Sequence, residues 1–429
     1  RLIDVPISIE ALGEEKIKDF GLTGLEDLAR VVPNVSIRSL SDSNHTIVIR
    51  GVSNTAGISA LVGIYMDEVP LSFNPQRQAN LQPIDIQRLE VLRGPQGTLY
   101  GQGSTGGTVR YITNNPSFDG FEGEIGASAS SMTDGDTSSE VKAIFNIPVI
   151  DDRLAFRLAT SYKDRGGWID QPDIGKEDVN DTQASYLRLK ALWQASDDLT
   201  VNAMILRSRS DSGSSNTANI RGVDGETYYR TVIANGSLLA STDQTDDNDT
   251  YNITVNYDLG FATLTSSSSH LDIKSYQFSN SALVGQDSAV NSGVLSLGII
   301  NESKGFAQEA RLASVDNGSA LSWLVGAFYS DTEFSNPNDD SGLFFNGVSL
   351  LSLGAFEFFV SSKSTAIFAN VGYDLSEQLT LTVGARYFED DQTKGQTPAS
   401  DSESFYHLSP KVSLSYALSD DASIYASVA

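Results

Sequence analysis

The chain has 429 residues, 55 acidic against 29 basic, for a formal charge of −26, with no cysteine and three histidines. This composition excludes thiolate chemistry and a Cys/His metal centre, and the acid excess argues against a nucleic-acid partner held through its phosphates. The length admits two or three ordinary domains or one large β structure, and no run is long and apolar enough for a membrane helix.

Residues 1–118 read as a small α/β domain with many loops. Thr23-Gly24-Leu25-Glu26 has the spacing of a capping box, and Leu25, Leu28, Ala29 and Val32 share one face of a short helix that Pro33 stops. Short β-like runs follow at Val35–Arg38, Thr46–Arg50, Gly63–Asp67 and Arg88–Leu92. Residues 101–106, GQGSTG, spell GxGxxG. A dinucleotide site would need a helix after the glycines, yet Thr108–Thr113 is β-branched and alternating and Asn114-Asn115-Pro116 ends it. The glycines therefore serve tight turns.

From residue 119 onward the period is two. In residues 153–163, Leu154, Phe156, Leu158, Thr160 and Tyr162 form one face and Arg153, Ala155, Arg157, Ala159, Ser161 and Lys163 the other. Leu187, Leu189, Ala191 and Trp193 repeat the pattern, as do Leu379 to Tyr387 and Val412 to Leu418. Short turns, such as Asp151-Asp152 and Ser376-Glu377, alternate with long polar loops near 164–182, 209–249, 273–302, 332–362 and 390–403. A soluble sandwich also alternates, but this sorting of loops by length fits an outer-membrane barrel, with Tyr162, Trp193, Tyr373 and Tyr416 as interface aromatics. The expected fold is mainly β: a transmembrane antiparallel β-barrel preceded by the α/β domain. About 13 strands fit between 119 and 429. The last run still alternates, so the chain is expected to be a fragment lacking the last barrel strands. An acidic loop at Asp243, Asp246, Asp247 and Asp249 lacks EF-hand spacing and reads as solvated, and no metal site or cofactor is expected.

Glu90–Gly101 with Gly106–Thr113 resembles the plug signature of TonB-dependent outer-membrane receptors. Ile49–Val52 and Val62–Leu71 resemble two further plug segments, and FAQEARL at 306–312 and SPKVSLSY at 409–416 resemble barrel segments. The resemblance implies an N-terminal plug in the lumen of a 22-stranded barrel. It also implies active import rather than passage through a passive porin, no catalysis, and a monomer in the outer membrane of a Gram-negative bacterium. Its partners would be TonB of the inner-membrane energising complex, outer-membrane lipid and lipopolysaccharide, and a small-molecule ligand, with no nucleic acid. The cargo would be a ferric siderophore, with glycans, cobalamin or another organic nutrient as alternatives. No TonB box stands out in the residues present.

Similar arginines in the family suggest Arg50 and Arg93 as plug-to-barrel latch residues, with Glu309 as partner. The glycines of residues 93–107 would sit in tight plug turns facing the barrel wall, where close backbone approach excludes side chains. Ligand contacts are expected from apex loops at 39–45, 53–59 and 72–80, with Asn54, Phe73, Asn74 and Arg77 as candidates. In the segment 343–360, Phe344, Phe345 and Phe358 belong to an apolar patch that would fold inward as a lid or extend the strands beside it.

Overall fold

The computed structural model describes residues 8–41, 44–53, 61–71, 81–95, 97, 103–170, 177–213, 219–220, 227–228, 244–282, 294–337, 342–345, 348–352, 357–396, 399–419 and 422–428. The N-terminal part begins with strand β1 (Ser8–Gly13), helix α1 (Glu14–Asp19), a 3-10 turn at Leu25–Asp27 and helix α2 (Leu28–Val31). Strands β2 (Val35–Ser41), β3 (Asn44–Ile49), β4 (Val52–Ser53), β5 (Val62–Met66), β6 (Val69–Pro70), β7 (Ile86–Arg93) and β8 (Gly107–Thr113) follow. They form a five-stranded sheet, β1-β7-β8-β5-β6, and a three-stranded sheet, β2-β3-β4. Leu25, Ile47, Ile49, Val62, Met66, Val91 and Val109 are fully buried between them.

Two local readings are revised. Helix α1 escaped the sequence reading because it has one buried apolar residue, Ile17, although Glu14 and Glu15 lie in its first turn as the helix dipole favours. At the second helix the capping carboxylate is Asp27, not Glu26: its Oδ2 accepts hydrogen bonds from the backbone N–H of Thr23 at 2.6 Å and of Gly24 at 3.1 Å.

Strand β8 occupies the place where a dinucleotide fold would put a helix. It runs parallel to β5, with Gly107 opposite Val62. Gly107 has φ +154°, and a Cβ there would strike the Leu92 carbonyl oxygen; one at Gly106 would lie 2.9 Å from Val52. The close approach that requires glycine is thus to the plug's own strands and not to the barrel wall.

The wall strands are β9 (Glu122–Ser131), β10 (Thr137–Ile150), β11 (Leu154–Arg165), β12 (Thr182–Ser196) and β13 (Leu199–Ser212). After two short loop strands, β14 (Asn219–Ile220) and β15 (Thr227–Tyr228), come β16 (Gln244–Asp258), β17 (Ala262–Ala282), β18 (Val294–Ser314) and β19 (Leu321–Pro337). Strands β20 (Gly342–Phe345) and β21 (Val348–Ser352) make a loop hairpin, and β22 (Glu357–Ser376), β23 (Leu379–Gln396), β24 (Ala399–Ser419) and β25 (Ala422–Val428) complete the order. The main path is an antiparallel sheet of 13 strands, each bonded to its sequence neighbour apart from the loop hairpins.

The polarity of this sheet is inverted relative to a soluble protein. On its outer face Leu187, Trp193, Ile205, Ile253, Val325, Ile367 and Val412 are exposed, with Tyr162, Tyr373 and Tyr416 among them. The opposite face buries Arg188, Lys190, Asn252, Ser267, Ser303 and Ser364. No described helix is long and apolar enough to cross a membrane. The plug core continues onto this inner face through Ala159, Tyr186, Met204, Leu206 and Leu271.

The strands also run further than the sequence suggests. Much of 273–302 belongs to β17 and β18, and the connection expected at 390–403 shrinks to residues 397–398 between β23 and β24. Asp246, Asp247 and Asp249 of the expected acidic loop stand in β16, where Asp249 pairs with Arg207 at 2.7 Å and Asp247 lies 3.7 Å from Arg209. Asp243 lies outside the described residues.

Candidate functional site: the plug and wall interface

Three plug carboxylates face wall cations. Asp85, in the turn before β7, adopts φ +55°, a left-handed conformation that Asp tolerates. This turn aims its carboxylate at β11 and β12. Arg157 grips it bidentately, Nη2 to Oδ1 at 2.6 Å and Nε to Oδ2 at 2.8 Å, and Arg188 adds a bond to Oδ2 at 2.9 Å. The side chains of Asp85 and Arg188 are each 1% exposed. Arg188 also donates to the carbonyl oxygens of Ile84 and Asp85 and to the Tyr186 hydroxyl, so its donors are spread over plug backbone and wall. Asn114, just past β8, donates to Asp85 Oδ1 at 2.8 Å. Burial alone would raise the Asp85 carboxyl, but the Arg157 hydrogen bond, the Arg188 charge and the Asn114 amide outweigh it and hold the group below the usual carboxylate range.

The second station is Asp67, at φ +50° in the β5–β6 turn. Its carboxylate accepts the backbone N–H and hydroxyl of Thr113, tying the turn to the end of β8, and Lys190 of β12 reaches it at 3.0 Å. Lys190 also donates to Thr113 Oγ1 and Asn115 Oδ1. The third is Glu68, whose Oε2 accepts from Arg311 of β18 at 2.8 Å; the same Arg311 nitrogen also donates to Glu309 Oε1 at 2.8 Å. A neutral contact joins them, from Ser161 of β11 to Gln82. At all three charged stations the plug supplies the acid and the wall the base.

The expected latch has a different geometry. Arg93 pairs within the plug, Nη2 to Glu10 Oε2 at 3.1 Å, because β1 lies beside the end of β7. Glu309 is engaged by Arg311, two residues along its own strand. Arg50 is exposed beside Gly94, a Cβ on which would lie 3.2 Å from its Nη1. The structure therefore does not bring Arg50, Arg93 and Glu309 together. Of the residues that do meet, the wall cations Arg157, Arg188, Lys190 and Arg311 had one sequence signal, charged side chains on the polar face of alternating strands, whereas Asp67, Glu68 and Asp85 stand in plug turns and had none of that kind.

Asn54, Phe73, Asn74 and Arg77 lie outside the described residues. Phe344 and Phe345 are in β20, whose backbone pairs with β18 and β21, so this part of 343–360 extends the sheet. Phe358 opens β22 and meets the buried Phe334 edge-on, with ring centroids 6.2 Å apart.

Family models agree with this architecture. The TonB-dependent receptor plug domain matches residues 1–108 and the TonB-dependent receptor-like β-barrel matches residues 192–429. The pesticin receptor of Yersinia pestis is 32% identical over 200 residues, 45% of this chain and 28% of that receptor. The ferrioxamine B receptor of Salmonella typhimurium is 26% identical over 260 residues, 58% of this chain and 33% of that one. Among solved structures, the ferric yersiniabactin uptake receptor of Yersinia pestis superposes with a TM-score of 0.81 at 21% identity, covering 98% of this chain and 64% of that one. The ferripyoverdine receptor of Pseudomonas aeruginosa gives 0.76 at 17% identity, covering 99% and 58%. The chain thus spans less than two thirds of these relatives. With both family models matched in order and a plug packed on the inner face of an apolar-out sheet, the chain belongs to the TonB-dependent receptors, a family of Gram-negative outer-membrane transporters.

Proposed function

We propose that this receptor imports a ferric siderophore across the outer membrane, with TonB drawing on the plug to open the path. The observation that carries the reading is the Asp85 station. A plug carboxylate buried against two wall arginines fastens the plug to the inner face of the wall, so moving the plug aside requires work, which a diffusion pore does not need. Breaking a buried pair of this kind costs about 3–5 kcal/mol, a scale suited to an energised partner. The cargo class is supported by the relatives, whose names specify ferrioxamine B, yersiniabactin and pyoverdine as ferric ligands.

The apex loops carrying Asn54, Phe73, Asn74 and Arg77, with Phe344, Phe345 and Phe358 on the wall side, form the proposed ligand entrance. The exposed outer face, from Leu187 to Val412, is the proposed lipid contact, and the protein is proposed to act as a monomer in outer-membrane lipid and lipopolysaccharide. The test is accumulation of radioactive iron from ferric siderophores by cells that carry or lack the receptor, with and without TonB, alongside receptor abundance under iron starvation. Receptor-dependent and TonB-dependent uptake with induction on starvation is expected. No response to iron and no iron uptake would refute the siderophore reading.

A further inference from the structure

We infer that a groove on the outer face of the wall, at the edge of the apolar band, seats a lipid whose headgroup carries both a phosphate and a primary ammonium, as phosphoethanolamine does. The inference rests on the membrane placement of the wall and not on the cargo. On β12, β13 and β16 the outward side chains Leu187, Ile205 and Tyr251 are exposed and apolar. Two residues further along each strand, away from the short turns, the same face carries Ser185, Arg207 and Asp249, and on β17 Asp272 follows His270 in the same way. The register sets Leu187 opposite Arg207, Arg207 opposite Asp249, and Asp249 opposite Asp272. Ser185, Arg209, Asp247 and Lys274 form the next row. Directly opposed residues share a face. Between these rows and strands β10 and β11 lies a groove of about 840 Å³. Val141, Tyr162 and Leu187 line its apolar side, and the short side chains of Thr160 and Ser185 leave it room.

The charged side of the groove mixes both signs, Arg207, Arg209 and Lys274 with Asp247, Asp249 and Asp272. Each cation already has a carboxylate. Arg207 Nε donates to Asp249 at 2.7 Å and Arg209 Nε to Asp211 at 2.9 Å, while Asp247 lies 3.7 Å from Arg209 and Lys274 lies 4.0 Å from Glu302. A purely anionic headgroup would have to compete with these acids. The acids are less well matched. Asp249 and Asp272 stand directly opposite each other, an unfavourable like-charge pair. Oδ1 of Asp272 is buried without a hydrogen-bond partner, and Asp272 makes no ion pair among the described residues. An ammonium placed between the two carboxylates relieves the repulsion and supplies three N–H donors. The phosphate then falls one strand away at Arg207, which gives Asp249 only its Nε and keeps donors for a second anion. Adjacent strands are about 5 Å apart, the span of the two-carbon bridge between an ethanolamine nitrogen and its phosphate. Acyl chains continue from the groove along Leu187, Ile205 and Tyr251 into the apolar band.

The experiment uses receptor purified from outer membranes in detergent and mixed with equal amounts of phosphatidylethanolamine, phosphatidylcholine and phosphatidylglycerol, with retained lipid counted by native mass spectrometry. Phosphatidylethanolamine should be retained about tenfold over phosphatidylcholine, whose nitrogen has no N–H, the scale of one charge-assisted hydrogen bond. Combining Asp249→Asn with Asp272→Asn should abolish that preference and raise retention of phosphatidylglycerol, because Arg207 is then free for an anion. These side chains lie outside the plug stations, and heat-modifiable gel mobility checks that the wall still folds. Equal retention of the three lipids, or a preference that survives the double substitution in folded receptor, would overturn the inference. Adding lipid A with and without phosphoethanolamine identifies the carrier. Displacement by the modified form alone assigns the headgroup to a glycolipid, and displacement by neither form assigns it to the diacyl lipid. Unmodified lipid A that displaces phosphatidylethanolamine equally well would show a seat for phosphate alone and overturn the zwitterionic reading. Failure of the importer reading appears elsewhere, as absent iron accumulation in cells, and leaves lipid retention measurable.

Discussion

At the scale of single residues, the plug's attachment depends on where a carboxylate is buried more than on how many ion pairs exist. Asp85 is enclosed by two arginines and an amide, whereas the Arg93–Glu10 pair is partly wet and internal to the plug. Asp85→Asn should therefore loosen the plug by about 3–5 kcal/mol, because it leaves Arg188 charged and buried; a rise in resting conductance and a lower urea midpoint for plug release would show it. Arg93→Gln should cost about 1 kcal/mol or less. Reversing Arg93 to Glu should be rescued in part by Glu10→Arg and not by Glu309→Arg, and rescue by the latter would restore the latch first expected. The pH dependence follows from the direction of the Asp85 shift. A carboxyl held below its ordinary value of 3.8 contributes its full stabilisation above that value and loses it as pH falls from there toward the lower, folded value. The urea midpoint of plug release should thus hold from neutrality down to about pH 5 and drop only below about pH 4. In Asp85→Asn that acid drop should be smaller, and an unchanged profile would show that other carboxylates govern it.

At the scale of elements, the join between β5 and β8 makes the plug one unit, since it is the parallel pairing that connects the β7–β8 hairpin to the β5–β6 turn carrying Asp67 and Glu68. Gly107→Ala forces a side chain into a positive φ and against the Leu92 carbonyl, a strain of about 1–3 kcal/mol before any clash. The expected outcome is a plug that exchanges its β8 amides faster while wall amides stay protected; uniform protection would show that the glycine is dispensable. The same elements show what was legible in the sequence. Strands inside the apolar band announced themselves, as in Leu187, Leu189, Ala191 and Trp193, because lipid on one side and lumen on the other impose a period of two. Beyond the band the outward face is no longer consistently apolar and the alternation fades, so the polar run Lys274-Ser275-Tyr276-Gln277 read as loop although it continues β17. Plug motifs identified the family through their order. The ion stations were illegible for another reason: Asp85 and Arg188 are 103 residues apart, and nothing local in either segment names the other.

At the scale of the whole molecule, the two sides of the sheet solve opposite solvation problems, and this separates a membrane wall from a soluble sandwich sharing the same alternation. Adjacent residues of β16 illustrate it. Asn252 is buried and donates to Ser267 Oγ and the Ser268 carbonyl oxygen, while its neighbour Ile253 is 53% exposed on the face shared with Tyr251 and Tyr257. In water an exposed isoleucine replaced by arginine is close to neutral or mildly favourable. In a bilayer the same charge must enter hydrocarbon, at about 2–4 kcal/mol near the midplane and progressively less toward the interfaces. Ile253→Arg is accordingly expected to lower folding stability in phospholipid vesicles by an amount in that range, read from urea titration of the receptor's heat-modifiable gel mobility. Tyr257→Arg, nearer the strand end at Asp258, should cost less. Equal and negligible costs at both positions would mean that this face meets water, and the membrane placement of the wall would fall with them.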